Sequence, residues 1–96
     1  MIPVHFQIPM ANRRSWRRYL ATRTVELPSV PREGEEVVVA PGGWSEPVKH
    51  VWWDLEEQCV KVELGRKTSS NCVEFDVDDP SGDMRVFARD AGWDIS

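Results

Sequence analysis

The chain has 96 residues and a net charge of −4, with 41% hydrophobic and 29% charged residues. This is the composition of an ordinary globular protein and the length of one small domain, 1–96, with a small core. It excludes a membrane partner through a spanning segment, because no apolar run is long enough, and the start MIPVHFQIPM lacks the parts of a secretory signal. A cytoplasmic location is expected.

The charge is unevenly laid out. Residues 1–32 hold six arginines and one acid, Glu26, whereas 33–96 hold six basic residues and fifteen acids. Such asymmetry points to a polyionic partner or to pairing within the fold.

Ile2, Val4, Phe6 and Ile8 alternate with Pro3, His5 and Gln7, which predicts a half-buried strand. Pro3 places its start near a sheet edge and Pro9 ends it. The basic loop Met10–Arg18 follows. A second strand, Tyr19–Leu27, puts Tyr19, Ala21, Val25 and Leu27 on one side, interrupted by Arg23, and pairs with the first as a hairpin. Pro28, Pro31 and Gly34 punctuate a loop with a tight turn near Arg32–Glu35. Val37–Ala40 is wholly apolar and is expected to be buried on both faces. Pro41-Gly42-Gly43 forms a turn, and Trp44 sits just beyond it.

The stretch Pro47–Leu64 reads as a central hairpin. Val60, Val62 and Leu64 alternate with Lys61 and Glu63, and side chains alternate across a strand. Pairing Trp53 with Cys59 also sets Lys49 against Glu63, Trp52 against Val60 and Val48 against Leu64. In that register Val48, His50 and Trp52 face the core, while Lys49, Val51 and Trp53 face away. His50 is then a satisfied core histidine.

Residues 65–71 are a polar connection, and Cys72–Val77 is a strand with Val73, Phe75 and Val77 inward. If this strand pairs antiparallel with the one begun by Cys59, the two cysteines lie ~15–20 Å apart, too far for a disulfide. Free thiols are expected. A helix near Pro80–Ala91 has Asp79 as N-cap, Pro80 at its first position and Gly92 after its end. Met84, Phe87, Ala88 and Ala91 make its apolar stripe. Trp93 and Ile95 anchor the terminus.

These elements predict an α+β, mostly β fold: a small curved antiparallel sheet, or a half-open SH3-like barrel, with one C-terminal helix. Val25–Leu64 resembles SH3-like barrels in style, which carries no functional motif.

Chemistry-bearing patterns are scarce. His5, His50, Cys59 and Cys72 lack metal-ligand spacing, and neither cysteine has a catalytic context. Acids at Asp54, Glu56 and Glu57 sit in a loop where acids are ordinarily solvated. No enzyme, catalytic residue, metal or cofactor is expected.

Five tryptophans are many for this length. Trp53, facing away from the core, is either covered by a neighbouring segment or an exposed contact residue, for which tryptophan is well suited. The preferred function is a non-enzymatic module that binds another protein through Trp53, Trp44, Val51, Lys49 and Lys61. Nucleic-acid binding is the alternative, through Arg13, Arg14, Trp16, Arg17, Arg18 and Arg23, where arginines bracket an aromatic ring. Pairing of these arginines with the chain's own acids competes with it, and the acidic total favours that pairing. A third reading, by analogy with phage-borne inhibitors, is an acidic protein whose loops imitate a phosphate backbone and block a nucleic-acid enzyme. A homo-oligomer through an unpaired sheet edge is a further alternative.

Overall fold

The computed structural model describes residues 1–67, 71–76 and 83–96. In chain order these form β1 (Ile2–Asn12), β2 (Arg18–Leu27), β3 (Glu36–Ala40), β4 (Trp44–Asp54), β5 (Cys59–Leu64), β6 (Val73–Phe75), α1 (Met84–Asp90) and β7 (Asp94–Ile95). The strands curl into a half-barrel in the order β3-β4-β5-β1-β2-β7, with β6 also pairing with β1. The fold is mostly β with one short helix, as the strand pattern predicts. Asp79, Pro80 and Val77, expected at the helix start and the strand end, lie outside the described residues, as does 68–70 of the polar connection.

The strand β1 is the centre of the sheet and not its edge. It pairs antiparallel with β2, from Ile2↔Leu27 to Ala11↔Arg18. On its other side lie two strands in tandem, both parallel to it: β5 beside Val4–Gln7 and β6 beside Met10–Asn12. The sheet is therefore mixed, and β6 does not pair with β5. The polar connection steps the chain forward along β1 where a reversal was expected. Cys59 and Cys72 are nevertheless far apart along β1, and both are free thiols.

This arrangement explains why β1 runs through Pro9. Leu20, opposite Pro9, exchanges main-chain hydrogen bonds with Ser96 at 3.1 and 3.0 Å and so points away from β1. Opposed antiparallel residues exchange both bonds or neither. Pro9 therefore turns its nitrogen toward the gap between Gln7↔Glu63 and Met10↔Val73, where no ladder donor is needed. Pro3 has the same parity and sits just before β5 begins to pair.

The core lies on the concave face. Val4, Ile8 and Met10 of β1 and Val60, Val62 and Leu64 of β5 are fully buried. Trp93 closes this core from the end of the chain. It packs edge-on to Phe6 (centroids 6.4 Å apart, 64° between planes), and its indole N–H donates to the Val39 carbonyl at 3.1 Å. β3 is an edge strand, so the expectation of burial on both faces fails at Val38, which is 72% exposed.

Among the described residues the helix is Met84–Asp90. Asp83 is its N-cap and accepts from the Arg85 amide at 3.0 Å. Its end is a Schellman turn: Trp93 N–H donates to Ala88 and Gly92 N–H to Arg89, each at 3.0 Å, with Gly92 at φ 95°. Ala88 is buried and Met84 half-buried, but Phe87 is exposed. Arg85 takes an inward place instead, its guanidinium 4.6 Å from the Tyr19 ring centre, 5.3 Å from that of Phe75 and 3.1 Å from the Asp83 carboxylate, and Phe87 sits at the rim.

Candidate functional site

The β4–β5 hairpin keeps the expected pair Val48↔Leu64 and then shifts by one residue. Lys49 is the extra residue of a β-bulge, so His50 faces Glu63, Val51 faces Val62, Trp52 faces Lys61 and Trp53 faces Val60. A one-residue shift exchanges the two faces. The expected facing is therefore reversed beyond Lys49. Val51 and Trp53 share the concave face with the core, whereas His50 and Trp52 lie on the outer face. His50 is exposed, 3.9 Å from the Glu33 carboxylate, and is not a core histidine.

The bulge exists because of what Lys49 meets. Its side chain is buried, with the ammonium 3.5 Å from Glu63 and donating to the Asn71 carbonyl at 3.3 Å. An ammonium leaves water only with such partners. The Lys49–Glu63 pairing foreseen from charge is present, but Lys49 is removed from the surface and from any contact patch.

Trp53 stands opposite the buried Val60, yet 63% of it is exposed. Trp52 is 38% exposed on the opposite face, and Leu55 at the turn is 86% exposed. The turn holding them is tightly specified. One Asp54 carboxylate oxygen accepts from the amides of Glu56 and Glu57, both at 3.0 Å, and Gln58 takes a left-handed φ of 54°. Lys61 spans the turn, 3.2 Å from both Asp54 and Glu57. The Glu57 amide and the Lys61 ammonium hold the Asp54 carboxyl below its ordinary range, and Asp54 and Glu57 raise Lys61. Lys61 is thus a brace of the turn, and no Asn-Gly signal is needed to form it.

Trp44 does not join this end. It opens β4, nine positions and roughly 30 Å of strand from Trp53. It is half-buried, and its indole N–H donates to the buried Glu46 at 2.9 Å. Of the five residues expected to form one patch, Trp53 is exposed at the hairpin end, where Lys61 is taken up by Asp54 and Glu57. Val51 lies half-buried on the same face as Trp53, while Trp44 is at the far end of β4 and Lys49 is buried. Trp52 and Leu55 also belong to the exposed end: the unbulged register points Trp52 inward, and the turn pattern around Leu55 carries no signal of its exposure.

The basic segment is also resolved residue by residue. The loop spans Arg13–Arg17 and is shorter than Met10–Arg18, because β1 continues to Asn12. Asn12 ties it. Its carbonyl accepts from Trp16 at 2.7 Å, its amide donates to Arg17 at 3.0 Å, and its side-chain oxygen accepts from Arg14 at 3.0 Å. Arg13 meets Glu74 at 3.4 Å and Arg14 meets Asp76 at 3.0 Å. Arg18 approaches the Cys72 sulfur at 3.6 Å. Arg23 is away from this group and donates to the Ala91 carbonyl at 2.8 Å, at the C-terminal end of α1. Arg17 is exposed. Trp16, with a left-handed φ of 54°, is 57% exposed.

Among the described residues no three His, Cys, Asp or Glu side chains converge on a metal position, and no helix is long and apolar enough to cross a membrane. The chain matches no protein-family model, and no curated protein or solved structure is significantly similar to it.

Proposed function

We propose that the protein is a non-enzymatic interaction module that docks on another protein through the end of the β4–β5 hairpin. The observation that carries this reading is the exposure of Trp52, Trp53 and Leu55 within four residues of chain on a turn held by Asp54 and Lys61. Large apolar side chains held out by a braced turn lose little conformational freedom on binding, which favours affinity. The acids Asp54, Glu56 and Glu57 surround them, so a partner with an apolar pocket and a basic border fits best.

A photo-crosslinking residue at position 55, in cells that make the protein, tests this. The reading predicts one dominant protein adduct that disappears when Trp53→Ser is added. An adduct that persists unchanged with Trp53→Ser, or none at all, contradicts it.

A second reading rests on Trp16. It is exposed at the tip of a tied loop and flanked by Arg14 and Arg17. Stacking on a single-stranded nucleic acid would use that geometry. It predicts oligonucleotide binding that falls steeply with salt and is lost in Trp16→Ala. Binding that ignores both removes it. The acids Glu74 and Asp76 already occupy Arg13 and Arg14, which makes this the weaker reading.

A further inference from the structure

The half-barrel is open between β2 and β3. The Leu20–Ser96 bonds turn the even-numbered main chain of β2 away from β1, and β7 with Ser96 covers that edge from Leu20 to Thr22. Thr24 and Glu26 therefore present amides and carbonyls to the opening. Across it, Gly65 N–H donates to the Pro47 carbonyl at 2.9 Å, which turns Pro47 toward β5. Glu36, opposite Pro47, and Val38 then direct their main chain outward from β3. Between the two edges lies a groove of about 1090 Å³ whose apolar lining includes Phe6, Val25, Leu27, Val37 and Trp93.

We propose that this groove takes an extended segment of a partner protein, added as a strand to the free edge of β3 and alternating apolar with basic residues. An exposed edge is a template for such pairing, and natural proteins usually blunt it. Here the edge is short and bulged between Val38 and Ala40, but Glu36 and Val38 before the bulge stay exposed. The alternation follows from the two faces. Side chains of an added strand that point inward lie over the apolar lining. Those that point outward run between Glu26 of β2 and Glu36 of β3, with Glu33 and Glu35 at the loop end of the groove. Opposite charges on neighbouring strands stabilise the pair. The basic groups nearby offset this only in part: Arg23 is held by the Ala91 carbonyl and Arg32 lies in the lining, while Arg66 reaches Glu36 at 4.0 Å and His50 reaches Glu33 at 3.9 Å in exposed pairs that an added chain can displace. The surface is separate from the hairpin end and stands or falls without it.

The test uses the full chain and a capped nine-residue peptide alternating valine and lysine. One control has the same residues in two blocks, and another is the alternating peptide N-methylated on every second amide. The readout is amide hydrogen exchange at Thr24, Glu26, Glu36 and Val38. At ten times its Kd the alternating peptide should slow exchange at Glu36 and Val38 about tenfold, while both controls leave it unchanged. Glu36→Lys, at an exposed position, should weaken the effect. Equal protection by the block peptide would mean plain charge attraction and overturn the proposal, as would no protection at all. Protection that appears without peptide as protein concentration rises would assign the edge to a second copy and overturn it too.

Discussion

The two hairpin ends of this protein meet the same problem and answer it differently. Each turns on a left-handed residue that is not glycine, Trp16 in one and Gln58 in the other, both at φ 54°. Each is fixed by an Asx side chain that accepts from nearby amides, Asn12 in the first and Asp54 in the second. In the β1–β2 end the dominant feature is charge, and it is largely satisfied inside the molecule, by Glu74 and Asp76 of the segment that runs alongside β1. In the β4–β5 end Lys61 pairs with two of the three acids, Asp54 and Glu57, and the large apolar side chains stay exposed. A charge run read from sequence thus finds its counterpart within the fold. Of the large apolar side chains, Trp93 finds its place in the core, whereas Trp53 and Leu55 stay exposed.

The sharpest way to break this contrast is to compare tryptophans. Trp93→Ala removes a buried ring and its hydrogen bond to Val39, and should lower stability by about 3–5 kcal/mol. Trp53→Ser should change stability by no more than about 0.5 kcal/mol. Denaturant midpoints at an unchanged slope measure both. Similar losses for the two would mean that the hairpin end is packed against the body.

The next effect concerns the helix that carries the lid of the core. Hydrogen bonds and charge from Arg85 hold the Asp83 carboxyl below its ordinary 3.8. A carboxyl whose folded-state pKa is depressed contributes stability that is complete above its unfolded pKa and is lost as pH falls through the folded value. Helix α1 should therefore loosen below about pH 4, as followed by exchange of the Ala88 and Trp93 amides. Asp83→Ala should cost about 1 kcal/mol at neutral pH, as lost N-caps do, and should flatten that acid dependence. An unchanged acid limb would assign it to other carboxylates.

A smaller effect separates the two readings of the basic loop. Glu74→Gln with Asp76→Asn removes the carboxylate charges beside Arg13 and Arg14 and should cost less than about 1 kcal/mol per pair. If the arginines serve only the fold, oligonucleotide affinity gains a steeper salt dependence but no dependence on Trp16. Loss of binding in Trp16→Ala would return the loop to the nucleic-acid reading.

Much of this architecture can be read locally. The alternation of Ile2, Val4, Phe6 and Ile8 marks β1, the Pro-Gly-Gly turn precedes Trp44, and Gly92 ends the helix. What escaped reading depends on distant partners. Pro9 looks like a strand end, yet its missing donor falls where β5 has stopped and β6 has not begun. Lys49 looks like a surface residue, yet Glu63 and the Asn71 carbonyl draw it inward and shift the register. That single bulge moves Trp52 and His50 to the outer face, so the tryptophan excess was legible while its placement was not. Arg85 has the same character, since the rings of Tyr19 and Phe75, distant in sequence, join Asp83 in holding it inward.

The most direct test of the contrast is to resolve the five indole N–H signals by NMR and add a neutral paramagnetic agent that broadens whatever solvent reaches. The account predicts that Trp53 and Trp16 broaden first, that Trp52 follows, and that Trp93 stays sharp. A sharp Trp53 signal would contradict it, because the end of the β4–β5 hairpin would then be covered by the protein's own chain and would have no apolar surface left to offer.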